Sequence, residues 1–276
     1  MENMESMIKK IISQYNAIKR YLFRDTQYLL LYAYRYFQNN YNNNCQFYTD
    51  EELASLIRMG KPMLRLGDGE ISLIHFLPEA TNSPQEYNDA VRNDWLKIIK
   101  NYSDDSKYIL GVPLFVNYTN TQLRKINRWE VFRQLKITYE LIFNKNAKYF
   151  DAHVFYKDGG FEKFVLPYIK TKKVIIVTNE EIEEEIINSE LSSETYFYIT
   201  CEDKNAYDGR LKIQNDIINL IDKSGLPTNN FVILLAAGQT KTIMPDMSGK
   251  GYQILDIGMG LKNYYARTSI EHLLEN

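Results

Sequence analysis

The chain has 276 residues, of which 25% are charged and 45% are hydrophobic, and its formal net charge is −2. This balance gives no electrostatic case for nucleic-acid binding, and no apolar run approaches the roughly 20 residues that a membrane-spanning helix needs. The two cysteines, Cys45 and Cys201, stand far apart, which argues against a disulfide framework or a zinc cluster and predicts a reduced, cytoplasmic protein.

The first 44 residues are basic and amphipathic. They contain six Lys and Arg residues against three Asp and Glu residues, so their net charge is +3 and that of the remainder is −5. The apolar residues that mark one face of a predicted helix are Ile8, Ile11, Ile12, Tyr15, Ile18 and Leu22. Such a helix can lie on the inner, anionic face of the plasma membrane, or it can pack on the domain or on a second subunit. An asparagine-rich linker follows, so we place a helical extension at residues 1–46 and one domain at residues 47–276.

From Phe47 onward, predicted helices alternate with short strands rich in β-branched and aromatic residues. The predicted strands are residues 63–66, 108–112, 148–154, 173–178, 196–200, 231–236 and 253–257. The predicted helices are residues 89–100, 129–143, 161–169, 211–224 and 241–248. This alternation predicts a Rossmann-like α/β domain, with a mainly parallel sheet that helices cover on both faces.

The turn at residues 65–70 sets two carboxylates between a predicted strand and a predicted helix. Gly67 and Gly69 flank Asp68, so the backbone can approach a ligand closely there. Asp68 and Glu70 offer hard oxygen ligands, which suit Mg²⁺ or Mn²⁺. Open α/β sheets bind ligands at the carboxyl ends of their strands, where this turn lies. The alternative is that Asp68 only caps the following helix, as a capping box explains another Asp-x-Glu sequence earlier in the chain.

A second loop, Gly238-Gln239-Thr240, follows the strand predicted at residues 231–236. Backbone N–H groups at the start of the next helix could bind an anion, and Gly238 would allow close approach. The loop lacks the Gly-Lys-Thr of a P-loop, which disfavours an NTPase. The alternative is an ordinary β-to-α turn with Thr240 as the N-cap.

A third loop follows the strand predicted to end at Thr200. Lys204 could neutralise a phosphate, and Asn205 could bond a sugar hydroxyl or hold the loop in an Asx turn. A diphosphate would be repelled by Asp68 and Glu70 alone. A divalent cation, together with Lys204 and the arginine at position 65, would offset most of that negative charge.

Taken in this order, four sequences resemble the GT-D fold family of bacterial glycosyltransferases. They are Arg65-Leu-Gly-Asp68-Gly-Glu70, Lys204-Asn205-Ala206-Tyr207, Ile233-Leu-Leu-Ala-Ala-Gly238-Gln-Thr240 and Gly251-Tyr-Gln-Ile-Leu-Asp256-Ile-Gly258. The resemblance covers residues 50–260. It implies a hexosyltransferase that moves a sugar from a nucleoside-diphosphate sugar, such as a UDP-sugar, with Asp68 and Glu70 as catalytic residues at a Mn²⁺ or Mg²⁺ ion.

The resemblance also implies which residues bind the donor and what accepts the sugar. The implied donor-binding residues are Arg65, Gly67, Gly69, Asn179, Lys204, Asn205, Gly238, Gln239 and Thr240. The acceptor would be a glycan, a glycoprotein or a lipid-linked molecule in bacterial surface polysaccharide or glycoprotein assembly. The alternative is a non-catalytic nucleotide-sugar-binding partner, because Met259 follows Asp256-Ile-Gly258 where many family members continue with His-Ile-Asp.

Overall fold

The computed structural model describes residues 26–75, 85–155, 157, 159–178, 196–202 and 204–264. Within these ranges, eight strands form one sheet in which all neighbouring strands are parallel. The strands are β1 (Gln46–Phe47), β2 (Met63–Arg65), β3 (Ile109–Val112), β4 (Lys148–Asp151), β5 (Lys173–Thr178), β6 (Tyr196–Thr200), β7 (Phe231–Ala236) and β8 (Ile254–Asp256). Their order is β1-β4-β3-β2-β8-β7-β5-β6, so β2 and β8 pair at the centre of the sheet.

Helices cover both faces of this sheet, as predicted. The α-helices are α1 (Thr26–Tyr36), α2 (Asp50–Arg58), α3 (Asp68–His75), α4 (Asp89–Lys100), α5 (Asn120–Lys125), α6 (Trp129–Ile142), α7 (Leu166–Ile169), α8 (Arg210–Ser224) and α9 (Met244–Gly249). Short 3-10 helices occupy Leu114–Asn117, Thr228–Asn230 and Gly238–Ile243, and a π-helical turn occupies Phe161–Val165. No helix in the described ranges is long and apolar enough to cross a bilayer.

The sheet is buried on both faces, because alternate residues of its strands enter two separate apolar clusters. Ile175 and Val177 of β5 join the cluster that contains residues of α3, α4, α6 and α8. Val174 and Ile176 of the same strand join the cluster that contains residues of α2, the π-helical turn and α7. This double burial explains why the central strands are continuous apolar runs rather than alternating ones.

The predicted elements differ from the observed ones mainly at their ends. The bounds predicted for β5, β6, β7 and α4 agree with the structure. The strand predicted at residues 148–154 ends at Asp151, because the Asp151 carboxylate accepts the His153 N–H at 3.1 Å and turns the chain. The helix predicted at residues 161–169 begins as the π-helical turn. β1 and α5 were not predicted, because they are too short to show a hydrophobic period.

The first Asp-x-Glu sequence of the chain is a helix cap, as predicted. The Thr49 hydroxyl accepts the Glu52 N–H at 3.2 Å, and the Glu52 carboxylate accepts the Thr49 N–H at 2.9 Å. Glu52 also pairs with Lys148 at 2.7 Å. These contacts account for the acids at the start of α2 without a ligand.

The described part of the N-terminal segment packs on α6 of the α/β domain. Arg35 of α1 pairs with Glu140 of α6 at 2.6 Å. The Tyr41 hydroxyl, beyond α1, donates to the same carboxylate at 2.7 Å. The apolar stripe predicted between Ile8 and Leu22 lies outside the described residues. Arg35 and Tyr41 therefore attach this part of the segment to the domain. The two arrangements predicted for the apolar stripe stay predictions.

Lys136 of α6 is fully buried beneath this junction. Its ammonium donates to the backbone oxygens of Tyr41 and Tyr118, at 2.5 and 2.6 Å, and to the Asn120 side chain at 2.9 Å. No carboxylate is among these three acceptors. Burial, with a smaller contribution from the Arg35 charge, therefore lowers the pKa of Lys136 to about 7.

The free energy of unfolding should depend on pH through Lys136. In the unfolded chain its pKa returns to the ordinary value of 10.5, so the unfolded state binds more protons than the folded state above pH 7. Stability should therefore increase from roughly pH 7 to 9, with a slope of at most about 1.4 kcal/mol per pH unit. Urea unfolding at several pH values should show that Lys136→Met loses this increase, whereas Lys223→Met, at an exposed position of α8, keeps it. Equal slopes in both variants would contradict the assignment.

Candidate active site

Four charged side chains are buried together where β2, β7 and β8 end. Arg65 closes β2, Asp256 closes β8, Lys241 lies in the 3-10 helix after β7, and Glu70 lies in the first turn of α3. Their side chains are only 4 to 12% exposed. Two cations face two carboxylates, so the group carries no net charge, which is the condition under which buried ions are tolerated.

Asp256 connects the two central strands and reaches towards β4. Its carboxylate accepts the Arg65 backbone N–H at 3.0 Å and the Arg65 guanidinium at 3.1 and 3.2 Å. Arg65 also donates from Nη1 to the Ala152 carbonyl at 3.0 Å, just after β4 ends. Gly258 leaves room for this arginine, since a Cβ there would lie 1.8 Å from Arg65 Nη2. The Arg65 contacts therefore hold the ends of β2, β8 and β4 together.

The Glu70 carboxylate bonds both to the backbone of its own turn and to the loop after β7. Its Oε2 accepts the Gly67 N–H at 2.6 Å, and its Oε1 accepts Gln239 Nε2 and Lys241 Nζ, each at 2.8 Å. Burial by itself would raise the pKa of Glu70, but the Lys241 charge and these hydrogen bonds outweigh burial and lower that pKa. Glu70 is therefore a fixed carboxylate anion at neutral pH.

The third predicted loop contacts the second one directly. The Thr240 hydroxyl donates to the Ala206 carbonyl at 3.0 Å. Asn205 has a positive φ of 53°, and its side-chain oxygen accepts the Glu86 N–H at 2.8 Å. This asparagine therefore joins its loop to the segment before α4, which differs from the Asx turn that the sequence suggested. The loops after β2, β6 and β7 are joined, as their shared position at the carboxyl edge predicts.

The predicted site residues occupy different positions in this arrangement. Gly67 lies in the turn after β2 and Gly69 in the first turn of α3. Lys204 is exposed in its loop. The Asp68 backbone begins α3, but the Asp68 side chain and the whole of Asn179 lie outside the described residues.

Most polar side chains of the loop after β7 make hydrogen bonds to other parts of the protein. Gln239 is buried, and its side-chain oxygen accepts Trp95 Nε1 at 2.7 Å. The Thr240 N–H donates to the Ala237 carbonyl at 3.1 Å, while its hydroxyl bonds Ala206. The interpretation of Thr240 as a helix N-cap is therefore wrong, because its hydroxyl binds another loop and makes no capping bond. Gly238 has a positive φ of 50°, which explains the glycine at this turn.

Lys241 and Asp256 were not among the predicted site residues. Both had a local signal. Asp256 is a charged residue at the end of the apolar, fully buried strand Ile254–Asp256, and Lys241 follows a loop already singled out for its glycine. A charged residue within a buried strand indicates a buried partner. The partner could not be read from the sequence, because it comes from distant parts of the chain.

A further polar group lies at the end of β4, on the same edge of the sheet. The Asp151 carboxylate accepts the N–H groups of Leu114 and His153, both at 3.1 Å, and lies 3.8 Å from the Lys157 ammonium. The His153 ring packs against Phe115. Burial, opposed by the Asp151 charge, lowers the pKa of His153 to about 4, so this imidazole is neutral at pH 7.

Comparison with known proteins gives one family and a consistent set of structures. The model of the family described as glycosyltransferase GT-D fold matches residues 63–269. A glycosyltransferase from Streptococcus sanguinis has a similar structure, with a TM-score of 0.66 and 18% identity over 82% of this chain and 85% of that chain. A structure of the highly conserved domain of unknown function 1792, described as a distinct glycosyltransferase fold, has a TM-score of 0.62 and 20% identity over 82% and 83% of the two chains. No curated protein matches the sequence.

The buried ion group can be tested with two glycines that share a positive φ. Gly258 has a φ of 51° and faces the Arg65 guanidinium, whereas Gly251 has a φ of 87° with nothing within 4 Å of its Cβ position. Gly251→Ala should cost about 1–2 kcal/mol of unfolding free energy, the strain of the left-handed backbone. Gly258→Ala should add the loss of the Arg65–Asp256 contact, about 3–5 kcal/mol for a broken buried pair. Equal losses in urea unfolding would show that the pair contributes little to stability.

Proposed function

The chain belongs to the glycosyltransferase GT-D fold family, and on this premise we propose that it transfers a sugar from a nucleoside-diphosphate sugar in a metal-dependent reaction. The donor is a UDP-sugar and the acceptor is a glycan, a glycoprotein or a lipid-linked molecule of a bacterial surface. We place the reaction in the cytoplasm, because the sequence has only two distant cysteines and therefore no disulfide framework.

The observation that supports this proposal best is the junction of the three motif loops around Glu70. The loops lie after β2, β6 and β7, and their contacts run from Gly67 through Glu70 and Gln239 to Thr240 and the Ala206 carbonyl. A donor bound at this edge would meet Asp68 at the start of α3 and Lys204 in the neighbouring loop. One loop offers carboxylates and the other a cation, which is the pairing that a metal-bound diphosphate requires.

The residues present fit a divalent cation that the donor helps to bind. Glu70 Oε1 already accepts two donors, but Oε2 accepts only the Gly67 N–H within the described residues and keeps capacity for one more partner. No group of three or more His, Cys, Asp or Glu side chains in the described part of the chain could hold a metal ion. Mg²⁺ in nucleotide sites is commonly held by one or two carboxylates and by substrate phosphates, so a full protein cage is not needed.

In this mechanism Asp68 and Glu70 would hold the cation, which would supply electrostatic stabilisation of the charge on the departing diphosphate. Lys241 keeps Glu70 ionised, and the Gly67 N–H fixes its orientation, so that the carboxylate does not reorganise during the reaction. Lys204 adds a positive charge on the opposite side of the diphosphate. The burial and full pairing of Lys241 make it a positioning residue rather than a group that contacts the donor.

A hydrolysis assay distinguishes the transferase from the non-catalytic nucleotide-sugar-binding partner. With Mn²⁺ and a panel of UDP-sugars, the protein should slowly release UDP without an acceptor, and Asp68→Asn should abolish this release. Asp50→Asn is the matched control, because Asp50 belongs to the other Asp-x-Glu sequence and pairs with Lys163 on the surface. Thermal stabilisation by UDP with Mn²⁺ should also fall in Asp68→Asn alone. Stabilisation of the wild type without any hydrolysis would favour the binding partner, and hydrolysis that survives excess EDTA would remove the metal from the mechanism.

Lys204 gives a separate test of how the diphosphate is bound. Lys204→Ala should weaken UDP binding by roughly 1.5–3 kcal/mol, the range for a hydrogen bond to a charged group. Calorimetry with UDP and Mn²⁺ measures this loss, and Lys223→Ala serves as the control at another exposed lysine. An unchanged dissociation constant in Lys204→Ala would place Lys204 on the solvated surface, without a role at the donor.

A further inference from the structure

The outward face of α1 exposes large apolar side chains to solvent. Leu30 is 68% exposed, Tyr34 is 62% exposed, and Phe37, just beyond the helix, is 81% exposed. Their spacing of four and three residues places them on one stripe of the helix. Single exposed apolar residues are normal on a protein surface, but a continuous stripe indicates an interaction surface.

The opposite face of α1 packs on α6 of the domain, so the exposed stripe does not result from a helix that has come away from the core. The Arg133 guanidinium of α6 lies 3.8 Å from the Tyr32 ring centre and 4.9 Å from that of Tyr36. Arg35 makes two hydrogen bonds to the Glu140 carboxylate, at 2.6 and 3.1 Å. These contacts hold the helix in one rotation about its axis, with the Leu30 stripe turned away from the domain.

Exposed cations adjoin this stripe at the carboxyl-terminal end of α1. The last turn of α5 carries Arg124 and Lys125, and the turn that leads to α6 carries Ile126 and Arg128. All four are exposed, Ile126 by 44%. Arg124 attaches the last turn of α5 to the end of α1, because its Nη2 donates to the Tyr36 carbonyl at 3.1 Å. We call the combined surface of Leu30, Tyr34, Phe37, Ile126, Arg124, Lys125 and Arg128 the α1 patch.

The basic end of the α1 patch lies at the same edge of the sheet as the candidate active site. α5 follows the carboxyl end of β3, and α6 begins at that edge. In the first turn of α6, Phe132 stacks edge-on against His153, just beyond the end of β4, with ring centres 6.1 Å apart. The loops that follow β3 and β4 therefore connect the patch to the site.

We propose that the α1 patch docks on an anionic lipid bilayer surface. Leucine, tyrosine and phenylalanine side chains enter the interface between headgroups and acyl chains, and flanking arginine and lysine residues attract acidic headgroups. The positive charge of the patch favours an anionic bilayer over a second copy of the chain as the binding partner. Two copies that paired through this face would bring like-charged clusters together, whereas an anionic membrane is complementary to both the apolar and the basic parts. This inference rests on α1 and α5 and does not depend on the proposed sugar transfer.

The test is flotation of the full-length chain with vesicles of phosphatidylcholine, with or without phosphatidylglycerol. The wild type should float with the anionic vesicles only, and added salt should reduce the bound fraction because it screens the basic residues. The triple variant Leu30→Ser, Tyr34→Ser, Phe37→Ser should bind at least about tenfold more weakly, as the loss of three inserted side chains predicts. Leu211→Ser is the matched control, since Leu211 is 58% exposed on α8.

A charge variant, Lys125→Glu with Arg128→Glu, keeps the proposal testable if the triple variant fails to fold, and it should also lose flotation. Flotation of either folded variant at the wild-type level would overturn the proposal, as would a wild type that does not float. A wild-type dimer in sedimentation that the triple variant dissociates would assign the patch to a second copy instead. UDP release from UDP-sugars should be unchanged in these variants, so that failure of this inference is separable from failure of the proposed transferase activity.

Discussion

The contact on which the site depends is the Lys241 ammonium between two buried carboxylates, 2.8 Å from Glu70 and 3.4 Å from Asp256. A buried carboxylate without a partner would lose its charge or destabilise the fold, because the protein interior solvates ions poorly. Lys241 and Arg65 neutralise both carboxylates where β2, β7 and β8 end. The same contacts therefore join three strand ends and keep an anion ready in the acidic turn.

The fold fixes one carboxylate of the acidic turn at residues 65–70. Glu70 is held by a backbone N–H, an amide and an ammonium, so its position is set by the fold. Asp68 stands two residues earlier, at the first position of α3, and Lys204 is exposed in the neighbouring loop. A rigid, ionised carboxylate preorganises an electrostatic site, since it need not move when a ligand binds.

Lys136, the second buried lysine, differs from Lys241 in the groups that accept its hydrogen bonds. Lys136 has three neutral acceptors and no carboxylate, and burial lowers its pKa to about 7. These bonds link the segment after α1 to α6, although no carboxylate among the three acceptors offsets the buried positive charge of Lys136. Because this link and the Arg35–Glu140 pair fix α1 on the domain, the helix presents one defined face outward.

Local patterns were enough to predict the bounds of β5, β6, β7 and α4, the parallel sheet and the gathering of three loops at one edge. Each of these follows from apolar runs, periodicity or strand polarity, which are properties of neighbouring residues. Tertiary structure alone decided which charges meet. Arg65 and Asp256 are 191 positions apart, and Glu70 and Gln239 are 169 apart, so no local signal could pair them. The outward face of α1 was decided in the same way, because an amphipathic pattern shows that one face is apolar but not which residues a distant helix will cover.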